Sequence, residues 1–221
     1  MGIPSYFVHL VRNHRSIIKK YDRSSMQIDN LYLDCNSLIY NALTNIVYKN
    51  DNDFETKLLD AICIKLAEYI NIIAPKKKVY IAFDGVAPVA KLSQQKNRRY
   101  KSWFQDEVMR EIYSTSNDII PSWNSAAITP GTKFMDKLDK YIKNNFSEPE
   151  KFSTEEIIIA TSKISGEGEH KLYEYIRNNP EYHKNTTTAI YGLDSDLIML
   201  TLNHLEYGVS RNKYIFGAYS R

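Results

Sequence analysis

Short apolar runs of strand length alternate along this chain with segments whose apolar residues recur every three or four positions, and that alternation limits the fold more than any other feature. Runs at 31–35, 79–83, 157–160 and 189–193 are rich in Ile, Leu, Val and Tyr and read as buried strands. Between them, Leu58, Ile62, Leu66, Tyr69, Ile70 and Ile73 share one helical face, as do Phe134, Leu138, Tyr141 and Ile142. Pro75 closes the first of these helices, and Thr129-Pro130-Gly131-Thr132 is a turn that supplies a cap for the second. Strands that alternate with helices predict an α/β fold with a mainly parallel central sheet and helices on both faces. The expected organisation is a single domain over 1–221, with its motifs in 1–202 and no assignment for 203–221. In such sheets ligands bind beyond the carboxyl ends of the strands, so the residues just after each strand should carry the chemistry.

The composition permits such a core. Lys and Arg number 29 against 26 Asp and Glu, a net charge of +3, and 43% of residues are hydrophobic, which excludes disorder and a polycationic tail. The 2 cysteines, Cys35 and Cys63, supply neither a disulfide framework nor a four-thiolate zinc site. No apolar run approaches the roughly 18 residues a membrane span needs, and the first ten residues do not read as a signal peptide. A cytoplasmic protein with no membrane partner is expected, with the nucleus left open.

The residues at the strand ends are acidic. Asp34 ends the first run, Asp84 follows the second, and Asp194 and Asp196 follow the fourth. After the third comes Ser165-Gly166-Glu167-Gly168-Glu169-His170, which places Glu167 and Glu169 at the start of a helix through Leu172, Tyr173 and Ile176. Carboxylates crowded without cations repel and raise one another's pKa. Two Mg²⁺ or Mn²⁺ ions, which prefer oxygen ligands, relieve that repulsion and suit phosphodiester hydrolysis. Against this stands the plainer reading, in which each carboxylate is a turn former or helix cap.

Residues 85–105 contain no acid, while Lys91, Lys96, Arg98, Arg99 and Lys101 supply positive charge among Gln94, Gln95 and Asn97. If a helix runs on from Pro88, then Lys91, Gln95, Arg98 and Arg99 fall on one face, a donor set suited to a phosphate. The alternative is a solvated helix face. Tyr40 offers a ring for base stacking, or a core contact. The histidines do not recur at metal-ligand spacing, and no nucleophile-base pair stands out.

These motifs resemble, in order, the amino-terminal conserved region of the eukaryotic 5′-to-3′ exoribonucleases. The matching segments are Met1-Gly2-Ile3-Pro4, Asn30-Leu31-Tyr32-Leu33-Asp34-Cys35-Asn36, Phe83-Asp84-Gly85-Val86-Ala87-Pro88, Gln94-Gln95 and Arg98-Arg99. They continue through Ile128-Thr129-Pro130-Gly131-Thr132, Gly166-Glu167-Gly168-Glu169-His170-Lys171, and Tyr191 to Leu200. The resemblance implies a PIN-like, flap-nuclease-like fold and a two-metal nuclease that degrades single-stranded RNA from a 5′ monophosphate. It implies Asp34, Asp84, Glu167, Glu169, Asp194 and Asp196 as catalytic metal ligands and Lys91, Gln95, Arg98 and Arg99 as the 5′-phosphate pocket. Asn36 would orient the first ligand or the RNA, and Tyr40 would stack on a base. Ser37 stands where the family usually has Gly, and Tyr40 where it has His. Family members also continue well beyond this length, with a further metal-binding Asp and a second stacking aromatic. The alternatives are therefore an RNA 5′-end-binding remnant of weak activity, a site completed by a second chain, or a DNA flap nuclease.

Overall fold

The computed structural model describes residues 5–44, 46–113, 123–207 and 213–216. Its elements run, in chain order, α1 (Tyr6–Asn13), β1 (Asn30–Asp34), α2 (Asn36–Leu43), α3 (Asp51–Ile73), β2 (Lys78–Ala82) and α4 (Val89–Tyr113). They continue with α5 (Lys133–Asn145), β3 (Glu156–Ala160), α6 (Gly168–Asn178), α7 (Pro180–Lys184), β4 (Thr188–Tyr191), α8 (Asp196–Asn203) and β5 (Lys213–Phe216). The opening motif 1–4 lies outside the described residues.

Local chemistry sets the helix bounds. Asn50 caps α3 by accepting the Asp53 N–H, and the helix ends at Ala74, whose left-handed backbone (φ 49°) leads into Pro75. Thr132 caps α5 through the Met135 N–H at 3.3 Å, as the turn cluster predicts.

All strand pairs are parallel, in the order β3-β2-β1-β4-β5. The chain thus builds outward from β1 to β3, then returns to lay β4 on the other side of β1. That reversal is a topological switch point, where open α/β sheets carry their ligands. The α/β class and the parallel sheet agree with expectation. β5 lies in the segment that carried no assignment, because its four residues give too short a pattern to read.

Side chains alternate across the sheet. Leu31, Leu33, Val79 and Ile81 pack with Leu58, Ile62 and Leu66 of α3 and Leu138 and Ile142 of α5. Tyr32, Tyr80, Ala82 and Ile190 turn to the other face and meet Leu172, Tyr173 and Ile176 of α6. Burying both faces of a five-residue strand leaves only its two ends for polar chemistry. At the amino end that chemistry is internal: Asn30 Nδ2 donates to Thr186 and Thr188 Oγ1, each at 3.0 Å, and Tyr182 OH donates to Asn30 Oδ1 at 2.6 Å. No described helix is long and apolar enough to cross a membrane.

Candidate active site

The carboxyl ends of β1 to β4 open onto one cleft of about 380 Å³, and the carboxylates expected from the sequence all line it: Asp34, Asp84, Glu167, Glu169, Asp194 and Asp196. Parallel register makes this possible. Asp34 pairs with Ala82, and the ladder continues through Cys35 N–H to Ala82 O at 2.9 Å and Phe83 N–H to Ala160 O at 3.0 Å, so the chain leaves each strand at one level.

Asp84 is the most firmly held. Asn36 Nδ2 donates to its Oδ2 at 2.6 Å, and Asn36 Oδ1 accepts the Asp84 backbone N–H at 3.2 Å. The Gly168 N–H, first in α6, donates to Asp84 Oδ1 at 2.7 Å. The carboxylate therefore sits at the positive end of a helix whose opening N–H groups lack internal partners. The Asn36 side chain thus orients Asp84, the second carboxylate along the chain, while its backbone N–H bonds the nearer Asp34.

Asp34 is different. Its Oδ1 is buried and accepts no hydrogen bond. Burial first, then the charges of Asp84 and Glu169, push its carboxyl up to about 8, against the bond from the Asn36 backbone. Glu169 is pushed up to about 7 by burial, then by Glu167 and Asp194, with Lys91 opposing. A buried acceptor without a donor and two carboxyls that resist ionisation describe a site short of positive charge. An all-oxygen donor set of this kind fits a hard divalent cation.

The cap readings hold only in part. Asp194 Oδ1 accepts the Asp196 N–H at 3.0 Å, so Asp194 does shape the start of α8 while facing the cleft. Glu167 precedes α6 but makes no side-chain cap; its Oε2 lies 2.6 Å from Lys91 Nζ and 3.4 Å from His170 Nε2. His170 is 3.9 Å from Glu169 as well. His170 has no second histidine at ligand spacing in the sequence; its place beside two glutamates in the motif is the signal that points to it.

The basic segment is helical, as expected. Lys91, Gln94 and Gln95 line the cleft on one wall of α4, facing Asn36, Ser37 and Tyr40 of α2. Lys91 already pairs with Glu167, which raises its pKa. Arg99 stands further out, exposed, with Nη2 3.4 Å from Gln95 Oε1, and is not among the residues lining the cleft. The Arg98 side chain lies outside the described residues. Tyr40 is 50% exposed, which excludes the core alternative and leaves its ring accessible at the cleft.

Two glycines shape the cleft floor. A Cβ on Gly168 would lie 2.6 Å from Asp34 Oδ1 and 3.3 Å from Ala82 O, so a side chain here would displace the Asp34 carboxylate. A Cβ on Gly85 would lie 1.8 Å from Ile164 O; the Gly85 N–H donates to Gly166 O at 2.8 Å and ties the two loops.

A family model described as the 5′-3′ exonuclease amino terminus (XRN) matches residues 1–210. The chain is 36% identical over 219 residues to 5′-3′ exoribonuclease 1 of Saccharomyces cerevisiae, covering 92% of this chain and 14% of that protein. With 5′-3′ exoribonuclease 2 of the same yeast it shares 34% over 244 residues, 91% of this chain and 24% of the relative. With 5′-3′ exoribonuclease 1 of Schizosaccharomyces pombe it shares 32% across 100% of this chain and 18% of the relative. The chain thus spans between about a seventh and a quarter of these relatives' length.

Proposed function

Because this chain belongs to the family of 5′-3′ exonucleases whose amino-terminal region its first 210 residues match, we propose that its cleft hydrolyses single-stranded RNA from a 5′-monophosphate end, releasing mononucleotides. The observation that carries the reading is the convergence, in one cleft, of six carboxylates from four strand ends with Lys91 and Gln95 beside them.

In this reading Asp34, Asp84, Glu167, Glu169, Asp194 and Asp196 hold two divalent cations, Mg²⁺ or Mn²⁺. When bound, the ions supply an activated water and stabilise the departing 3′ oxygen. The chain's own residues do the rest. Asn36 and the Gly168 N–H fix Asp84, so it enters the cleft in one orientation. Asp34 presents a dry oxygen with no competing donor. Lys91, Gln95, Arg98 and Arg99 receive the terminal phosphate, Lys91 exchanging its glutamate for a second anion. A 5′ end anchored on α4 places the first internucleotide bond over the carboxylates, which sets the product at one nucleotide. Tyr40, on the α2 rim, stacks on an exposed base, a contact worth about 1–3 kcal/mol.

The test uses one RNA with a 5′ monophosphate or a 5′ hydroxyl, incubated with Mg²⁺ and the chain. Mononucleotides from the monophosphate form alone are expected, and Asp84→Ala should lower the rate by about 10²–10³-fold or more, on the scale of lost electrostatic stabilisation. Cleavage by Asp84→Ala at the parental rate would overturn the metal assignment, and equal decay of matched DNA would favour a flap nuclease. The chain spans 14–24% of the yeast relatives' length, and the second reading is an end-binding module completed by further chain or a second protein. Tighter binding of the monophosphate RNA without decay selects it.

A further inference from the structure

Lys171 has no part in the reading above, yet it is among the most buried charged side chains described, at 5% exposure. It lies in the first turns of α6, where the helix dipole disfavours a cation, and burial adds to the cost. Neither helix stability nor packing accounts for a lysine there; a methionine would serve both better.

Its contacts supply a reason. Lys171 Nζ donates to Phe83 O at 2.6 Å and to Thr161 O at 3.1 Å, the carbonyls just past the ends of β2 and β3. Each carbonyl belongs to a peptide unit that is also gripped at its N–H. The N–H of the 83–84 unit is that of Asp84, held by Asn36 Oδ1 at 3.2 Å. The N–H of the 161–162 unit is that of Ser162, held by Asp139 Oδ1 at 3.1 Å, with Ser162 Oγ on Asp139 Oδ2 at 2.8 Å. Asp139, 3% exposed on α5, is thus a counter-charge of Lys171 across one peptide bond, after Asp84, whose carboxylate acts on the ammonium more strongly. Positive charge meets the oxygen end of each peptide dipole, and an acceptor meets the hydrogen end.

We propose that Lys171, balanced by Asp139 through the Thr161–Ser162 peptide, is a positioning residue that sets the plane of the Phe83–Asp84 peptide and so aims Asp84 into the cleft. The inference rests on the metal-site reading for its consequence, but the clamp on the peptide stands apart from it. Without the lysine donor the Phe83 carbonyl loses this bond and Thr161 O keeps only the Ile164 N–H at 3.2 Å, so the Phe83–Asp84 peptide is held through Asn36 and Asp84 is free to turn with it. Sequence carried a trace of this: Lys171 falls three residues after Gly168 and beside Leu172, on the stripe of α6 that faces the sheet.

The test compares the chain with the double variant Lys171→Met/Asp139→Asn, which removes Lys171 together with Asp139 and keeps an acceptor for Ser162. Mn²⁺ binding is measured by calorimetry, and hydrogen exchange is followed at the Asp84 amide. The expected result is a folded variant that binds Mn²⁺ about 10–100-fold more weakly, the usual effect of losing an outer-shell partner. Exchange at Asp84 should rise without a matching rise at β1 amides. A folded variant with parental affinity and parental exchange overturns the proposal. Should the double variant fail to fold, Lys171→Met alone, which removes every donor at this position, is read by the same two quantities and the same criteria. If the parent chain binds no Mn²⁺, or binds it equally with Asp84→Asn, the metal reading fails, and exchange at Asp84 alone decides for or against the clamp.

Discussion

Asp34 behaves unlike an ordinary aspartate, and its protonation ties the cleft to stability. Its carboxyl titrates near 8 in the folded chain against 3.8 as a free side chain, so the folded state binds more protons between those values. Stability of the metal-free protein therefore falls as pH rises from about 4 to about 8. Glu169, pushed up to about 7, acts in the same direction. Asp34→Asn removes the larger effect. It should melt with the parent at pH 4 and several degrees above it at pH 8, since one unit of pKa is about 1.4 kcal/mol; equal melting at both values would contradict the burial of the charge. Gly168→Ala makes the opposite change, driving a methyl toward Asp34 Oδ1 and Ala82 O. It should abolish measurable Mn²⁺ binding while the far-ultraviolet circular dichroism stays that of the parent. The carboxylates were legible in the sequence because each follows a strand. The partner of Asn36 was not, because choosing Asp84 over Asp34 depends on the register of β1 against β2. Gly168 was hidden for a similar reason, since its necessity lies in a close approach between segments far apart in sequence.

At the scale of elements, α3 shows how far periodicity reaches. Leu58, Ile62 and Leu66, four residues apart, are all fully buried against the sheet. Leu66→Ala should cost about 2–5 kcal/mol in urea denaturation with an unchanged slope, as expected for a cavity in a packed core. A loss below 1 kcal/mol would mean that α3 packs loosely. The helices that were legible are those with a long apolar stripe or a firm stop, such as Pro75 and the Thr132 cap. The short α2 escaped notice because eight residues give little more than two turns of pattern, although its first turn carries Asn36 and its second Tyr40. α4 was legible as a charged face. What sequence did not show is that its near end reaches the cleft through Lys91, Gln94 and Gln95 while Arg99 stands off. A uniform run of donors is divided by the rise of the helix, about 1.5 Å per residue, into those beside the carboxylates and those beyond them.

For the whole molecule, a parallel sheet was legible from alternation alone, but the order of its strands was not, because local pattern says nothing about which neighbour a strand takes. The order decides where the polar groups go. At the amino ends Asn30 is satisfied by three bonds within the chain; at the carboxyl ends Asp34 Oδ1 has none. A divalent cation that fills this need should stabilise the entire fold. At 100 times its dissociation constant, Mn²⁺ contributes about 2.7 kcal/mol, which for a chain of this size raises the melting temperature by about 5–10 °C. Calorimetry with and without the ion checks this, and an unchanged transition would show that no cation is bound. The central place of β1 also governs how the chain assembles. β1 can pair with β2 early, but its other edge waits for β4, which arrives more than 150 residues later along the chain. Such distant pairing is slow to form. Until it does, β1 is an open edge, and Asp194 and Asp196 are not yet beside Asp34. The β1–β4 pairing is therefore the same event that brings the cleft carboxylates together, so a chain that has yet to make it has only part of the cleft.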